Sequence, residues 1–99
     1  MDQASFLRQL ARDQFPAPVL VRRDPGGRLD IHSHDFEVKA MVLEGEITLE
    51  VDGRSQRFGP GEVFCLPAQQ PHAERYGAAG VVYLAGRKAL PSSTETSPT

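Results

Sequence analysis

From about residue 18 to residue 87 the chain breaks into short apolar or alternating runs, each closed by a turn signal. "VLVRR" ends at "DPGG", and "VKAMVL" ends at "EGE". "ITLEV" alternates apolar and polar and meets Asp52-Gly53, a dipeptide that supplies the positive φ of a tight hairpin. "RSQRF", "VFCLP", "HAERY" and "VVYLAGR" complete the set. Runs at roughly 8–12-residue intervals with Gly and Pro turns predict an all-β sandwich or barrel, not alternating β and α units. The period changes at the N-terminus. Phe6, Leu7, Leu10 and Ala11 form one apolar stripe at helical spacing, Asp2 can cap it, and Pro16 and Pro18 close it. The pattern therefore predicts a helix within residues 1–15 and a β domain over 18–87. Residues 88–99, "KALPSSTETSPT", are rich in Ser, Thr and Pro and predict a disordered tail. The helical stripe needs a surface to cover, either its own barrel or a neighbouring subunit.

Composition narrows the function classes. At 99 residues there is room for one small core. Apolar residues make up 39% and charged residues 24%, a globular balance. The net charge is −2 and no basic run exceeds Arg22-Arg23, which argues against nucleic-acid binding. The longest apolar run, around "AAGVVYLAG", is far short of the ~20 residues of a membrane span. The start, "MDQASFLRQLARDQF", lacks the basic and apolar blocks of a signal peptide, and the lone Cys65 cannot pair within the chain. A reduced, cytoplasmic setting is expected. Cys65 itself is expected to be a small buried core residue.

The chain holds three histidines. His32 and His34 lie one residue apart in a predicted strand, so both point to one face. In an apolar core two unpartnered imidazoles are costly, on a solvent face they need no explanation, and in a metal site they are ligands. His72 lies downstream, after the strand and proline turn of "GEVFCLPAQQPH".

Gly26, five intervening residues, His32, Ser33, His34 and the onward distance to Gly45 fit the pattern G-x5-H-x-H-x3–4-E-x6-G. Gly61, five intervening residues, Pro67 and His72 fit G-x5-P-x-G-x2-H-x3-N. Fifteen residues separate Gly45 from Gly61. In these two motifs the chain resembles the cupin family, over about residues 18 to 87. The resemblance implies a single-domain jelly-roll barrel in which His32, His34 and His72 converge on one divalent metal ion, with Fe, Mn, Zn or Ni the candidates. The alternative is a barrel that keeps its histidines as a hydrogen-bonded core cluster.

Three motif positions depart from the family. Val38 stands where the metal-binding glutamate belongs, Gln69 replaces the glycine and Tyr76 the asparagine. Strand parity turns Val38 inward and Glu37 outward, so Glu37 ligates only if the chain bulges near Asp35-Phe36; otherwise it is a solvent-facing charge. Without a carboxylate, a bound cation keeps its full charge and suits anionic ligands, as in three-histidine cupins, several of which are iron-dependent dioxygenases. On "HAERY", His72, Glu74 and Tyr76 share a face. Tyr76 either projects its phenol toward the cavity, where it meets substrate or a metal-bound group, or is a half-buried aromatic. Asp35 is either an outer partner of a ligand histidine or a turn residue. Arg75 and Arg87 are surface arginines with some reach for anions. Val38, Ala40 and Val42 offer apolar walls for a compact ligand.

The sequence thus predicts a small metal-binding cupin that binds or transforms a small anionic molecule by dioxygenase-, isomerase- or lyase-like chemistry. The rivals are a non-catalytic ligand or metal sensor and a partner-binding β domain. A homodimer is expected, with Phe6, Leu7 and Leu10 buried partly against the second subunit.

Overall fold

A computed structural model describes residues 1–89, in one helix and six strands. The elements are α1 (Gln3–Arg12), β1 (Val19–Arg23), β2 (Arg28–His32), β3 (Phe36–Val51), β4 (Arg54–Phe58), β5 (Val63–Leu66) and β6 (His72–Ala89). Two elements are longer than the sequence pattern predicts. "VKAMVL" and "ITLEV" are one strand, β3, because "EGE" bends the chain without ending its pairing. "HAERY" and "VVYLAGR" join likewise as β6. Lys88 and Ala89, assigned to the tail by composition, belong to β6 and pair with Glu37 and Phe36. The rest of the predicted tail lies outside the described residues.

All strand pairs are antiparallel. The long strands β3 and β6 lie side by side and carry the barrel. Their first pairing zone, Phe36–Gly45 against Val81–Ala89, is flanked by β1 and β5. The second, Ile47–Glu50 against Ala73–Tyr76, is flanked by β2 and β4. The register shifts between Gly45 and Ile47, where residues 77–80 of β6 stand against Glu46 alone on β3. This irregularity is the corner that folds one ribbon into two facing sheets. Gly45 sits there at φ +71°, and a Cβ on it would run into the Gly80 carbonyl oxygen. The inner faces meet in a core that includes Val38, Ala40, Val42, Ile47, Leu49 and Phe64.

The helix covers the outer face of the first sheet. Asp2 caps it by accepting the Ser5 N–H at 2.7 Å. Phe6 and Leu10 are fully buried and pack with Phe15 and Met41, beside Leu43, Val63 and Leu84. Burying such side chains stabilises by about 1.5–3 kcal/mol each. Lys39 ties the end of the helix down by donating to Asp13 at 2.9 Å, and Lys88 donates to the Asp13 carbonyl at 2.8 Å. The stripe therefore finds its surface within the chain, and a partner is not needed to bury Phe6 or Leu10. Leu7 remains 38% exposed. Cys65 corrects another expectation. It is exposed, because Phe64 and Leu66 take the two inward positions of β5. Among the described residues no helix is long and apolar enough to cross a membrane.

Replacing Gly45 with Ala forces a side chain into the left-handed region and against the backbone of β6. The Gly45→Ala protein is expected to lose at least about 2 kcal/mol in urea unfolding. Wild-type stability in that variant would show that the corner is not the tight point described.

Candidate metal centre

The three histidines meet, although strand parity is not what unites them. Strand β2 ends at His32, and His34 lies in the connection to β3. His32 reaches the interior through a bulge: Leu29 pairs with Glu74 and His32 with His72, so the β2 side carries one extra residue between these pairs. His34 is held by its main chain, whose carbonyl accepts the Gln69 N–H at 2.6 Å. Gln69 adopts φ +68° there, the conformation that the motif glycine would take. His72 opens β6 and is 1% exposed. The ring centroids lie 5.0 Å apart for His32 and His34, 4.3 Å for His32 and His72, and 5.3 Å for His34 and His72.

The fourth member is Glu74. One ligand atom from each of His32, His34, His72 and Glu74 lies within 4.8 Å of all the others, so the group could hold a metal ion. Glu37 is not part of it. No bulge turns it inward; it pairs with Lys88 and stays exposed, while Val38 faces the core. The inward carboxylate comes from β6, where the two-residue period carries His72, Glu74 and Tyr76 to one face. That shared face was readable from "HAERY", and the missing step was to count Glu74 as a donor.

Hydrogen bonds fix the donors' orientation. The Nδ1 atoms of His32 and His72 lie 2.7 Å and 3.0 Å from the carbonyl oxygens of Asp30 and Gln70. A carbonyl only accepts, so each Nδ1 carries the proton. In the neutral ring this leaves a lone pair on Nε2. Both Nε2 atoms face Glu74 Oε2, at 3.5 Å from His32 and 3.3 Å from His72. The His72 Nε2 is buried and has no hydrogen-bond partner; its approach to the carboxylate lacks hydrogen-bond geometry. The other carboxylate oxygen accepts from the Tyr76 hydroxyl at 2.8 Å. Tyr76 is buried, and burial, followed by this bond to an anion, pushes its pKa well above the usual phenol value. It therefore orients Glu74. Asp35 stays exposed between β2 and β3, and backbone carbonyls fill the outer-partner role considered for it.

The cluster opens on a small cavity of about 80 Å³, whose walls include Phe36, Val38, Phe64, Tyr83 and Arg87. A wider cleft of about 670 Å³ is lined by Leu49, Val51, Arg54 and Phe58 among others, and Leu66 lines both. His32, His34 and Glu74 line the smaller space. Burial lowers the pKa of His34, and the neighbouring imidazoles lower it further.

A jelly-roll barrel enclosing a three-histidine, one-carboxylate cluster is the architecture of a metal-capable cupin. The chain belongs to the cupin domain family, whose sequence profile matches residues 19–82. Curated proteins give no match. Among solved structures the chain is similar to KdgF from Halomonas sp., at 22% identity and TM-score 0.62, covering 76% of this chain and 70% of that one. It is similar to the polyketide cyclase RemF from Streptomyces resistomycificus, at 28% identity and TM-score 0.62, covering 81% and 60%. It is also similar to Bacillus subtilis oxalate decarboxylase, a protein with Mn(II) centres, at 24% identity and TM-score 0.66, covering 91% of this chain and 25% of that one. These likenesses show a shared fold.

A histidine whose pKa is lower in the folded state binds fewer protons there than in the unfolded chain. Between that lowered pKa and the unfolded value near 6.5, stability therefore falls as pH falls. Metal-free protein is expected to lose stability in urea titrations from pH 7 to pH 5, and His34→Asn to flatten part of that slope. Equal slopes for the two proteins would contradict the burial assigned to His34.

Proposed function

We propose that this chain is a small metal-binding cupin in which His32, His34, His72 and Glu74 hold one divalent ion, and that the site binds or transforms a small anionic molecule. The observation that carries the reading is the buried, unpartnered Nε2 of His72, which shares Glu74 Oε2 with the Nε2 of His32. Two lone pairs aimed at an anionic oxygen repel unless a cation stands between them. The donor set suits Mn, Fe, Zn or Ni. All four ligand atoms already lie within 4.8 Å of one another, so side-chain adjustment alone would bring them to the ~2.1 Å reach of a single ion.

Each supporting residue has a role in such a site. The carbonyls of Asp30 and Gln70 hold two imidazoles in the binding tautomer. Tyr76 keeps one carboxylate oxygen occupied and leaves the other for the metal. A bound cation would supply Lewis-acid polarisation, or redox chemistry where it is iron or manganese. Three neutral imidazoles and one carboxylate would leave a site with M²⁺ at net +1, and Arg87 lines the same cavity. Both features favour an anion. The cavity size favours a compact one. Iron that turns over in oxygen would assign the dioxygenase class, and an inert stoichiometric metal the sensing role.

Metal analysis and calorimetric titration test the reading. Wild-type protein is expected to bind one equivalent of Mn²⁺ or Zn²⁺, with about 2.7 kcal/mol of stabilisation at a hundredfold excess over Kd. His72→Ala is expected to lose at least about a hundredfold in affinity, more than the loss of an outer partner causes. Occupancy should fall below about pH 6 as protons compete for the imidazoles. Unchanged binding by His72→Ala would overturn the assignment.

The proposal extends to a homodimer. Val19 and Leu20 on β1 and Ile31 on β2, the last 74% exposed, leave apolar side chains along two edge strands. Sedimentation at micromolar concentration should give a dimer, and Ile31→Lys should weaken it. A wild-type monomer would rule the dimer out.

A further inference from the structure

His32 and His72 are each fixed twice, by a paired backbone position and by an N–H bond to a carbonyl. His34 has a main-chain bond, from the Gln69 N–H, but no such bond to its ring. It stands outside the strands, and among the described residues its ring makes no hydrogen bond. Its imidazole instead lies flat on the phenyl ring of Phe36, with centroids 4.8 Å apart and planes 11° from parallel. Phe36 opens β3 opposite Ala89, and the guanidinium of Arg87 lies over the same phenyl ring at 5.7 Å. The three side chains form a stack at the edge of the cluster's cavity, which all three line.

We infer that Phe36, steadied by Arg87, is the positioning residue for His34. The inference rests on the metal site proposed above. An imidazole lone pair lies in the plane of its ring. A flat neighbour that sets this plane therefore decides whether the lone pair can point at the other donors. Stacked aromatic faces are the arrangement that fixes it without a polar partner. The device also joins the two sheets. His32, His72 and Glu74 sit on the sheet formed by β2 and the start of β6, whereas Phe36 and Arg87 belong to the opposite sheet. His34 is thus the ligand that the far sheet delivers, and its plane follows that sheet's position.

Titration of full-length protein with Zn²⁺ tests this. Phe36→Leu keeps an apolar side chain but removes the flat face, and should weaken binding by about tenfold to a hundredfold, the range for loss of an outer partner. Phe36→Tyr keeps the face and should bind within a few-fold of wild type. Melting of the metal-free proteins reports any general loss of structure, which a leucine-specific affinity effect does not require. In a His34→Ala background, Phe36→Leu should cost nothing further, because the two residues act as one unit. A variant-free arm uses NMR of metal-free wild type, in which the Phe36 ring current should shift the His34 ring protons upfield. Wild-type affinity in Phe36→Leu, or unshifted His34 protons, overturns the inference. A wild-type protein that binds no Zn²⁺ overturns the metal reading instead, and the NMR arm then decides the stack separately.

Discussion

The Nε2 atoms of two imidazoles converge on one carboxylate oxygen inside the barrel, and much of the surrounding structure serves to keep them there. Left alone, the three groups would turn away from one another or admit water. Each is prevented from doing so by a bond on its far side: Asp30 O behind His32, Gln70 O behind His72 and the Tyr76 hydroxyl behind Glu74. A buried acceptor without a donor costs about 1–3 kcal/mol. The fold leaves His72 Nε2 buried without such a partner.

The barrel walls make this arrangement possible. Four strands end or shift register close to the cluster, and each irregularity places a residue. The bulge in β2 sets Leu29 opposite Glu74 and His32 opposite His72, so residues three apart on β2 face residues two apart on β6. The left-handed Gln69 brings the turn before β6 onto the His34 carbonyl. The corner at Gly45 lets β3 serve both sheets, so that Leu49 stands beside Glu74 in one and Val38 and Ala40 face the same interior from the other. The helix takes no part in the site. It seals the outer face of the sheet that carries Phe36 and so keeps that wall in place.

What the sequence disclosed follows from which signals are local. Alternation, turn residues and the His-x-His pair are local, and they indicated a barrel with its histidines inside. The continuity of β3 and β6 was hidden, since Gly45 and the Gly77–Gly80 segment look like turns until their pairing across the corner is known. The burial of Phe6 and Leu10 by the chain itself was an open choice for the same reason: an amphipathic stripe does not name its partner. Cys65 was misread because residue type outweighed parity; Phe64 and Leu66 had already claimed the inside of β5.

The departures from the family motifs make sense only together. Val38 removes a carboxylate from β3, which taken singly suggests a site with three imidazoles and no anion. Tyr76 replaces an asparagine, which taken singly suggests a changed pocket wall. Between them in the fold stands Glu74, two residues from His72 and two from Tyr76, all on one face of β6. The carboxylate of this cluster stands on β6, where the family motif would place one on β3, and the Tyr76 hydroxyl donates to it. A carboxylate entering from β6 leaves the β3 wall apolar, with Val38 and Ala40 buried where the charge would have been. The electrostatics of the donor set are thereby kept while the shape of the cavity changes: the charged ligand lies on the second sheet, and the facing wall carries the apolar side chains and the stacked Phe36. The small cavity is thus bordered by the imidazoles and carboxylate on one side and by Phe36, Val38 and Arg87 on the other. That asymmetry is written in two departures, Val38 and Tyr76, read together with Glu74, and neither departure is informative alone.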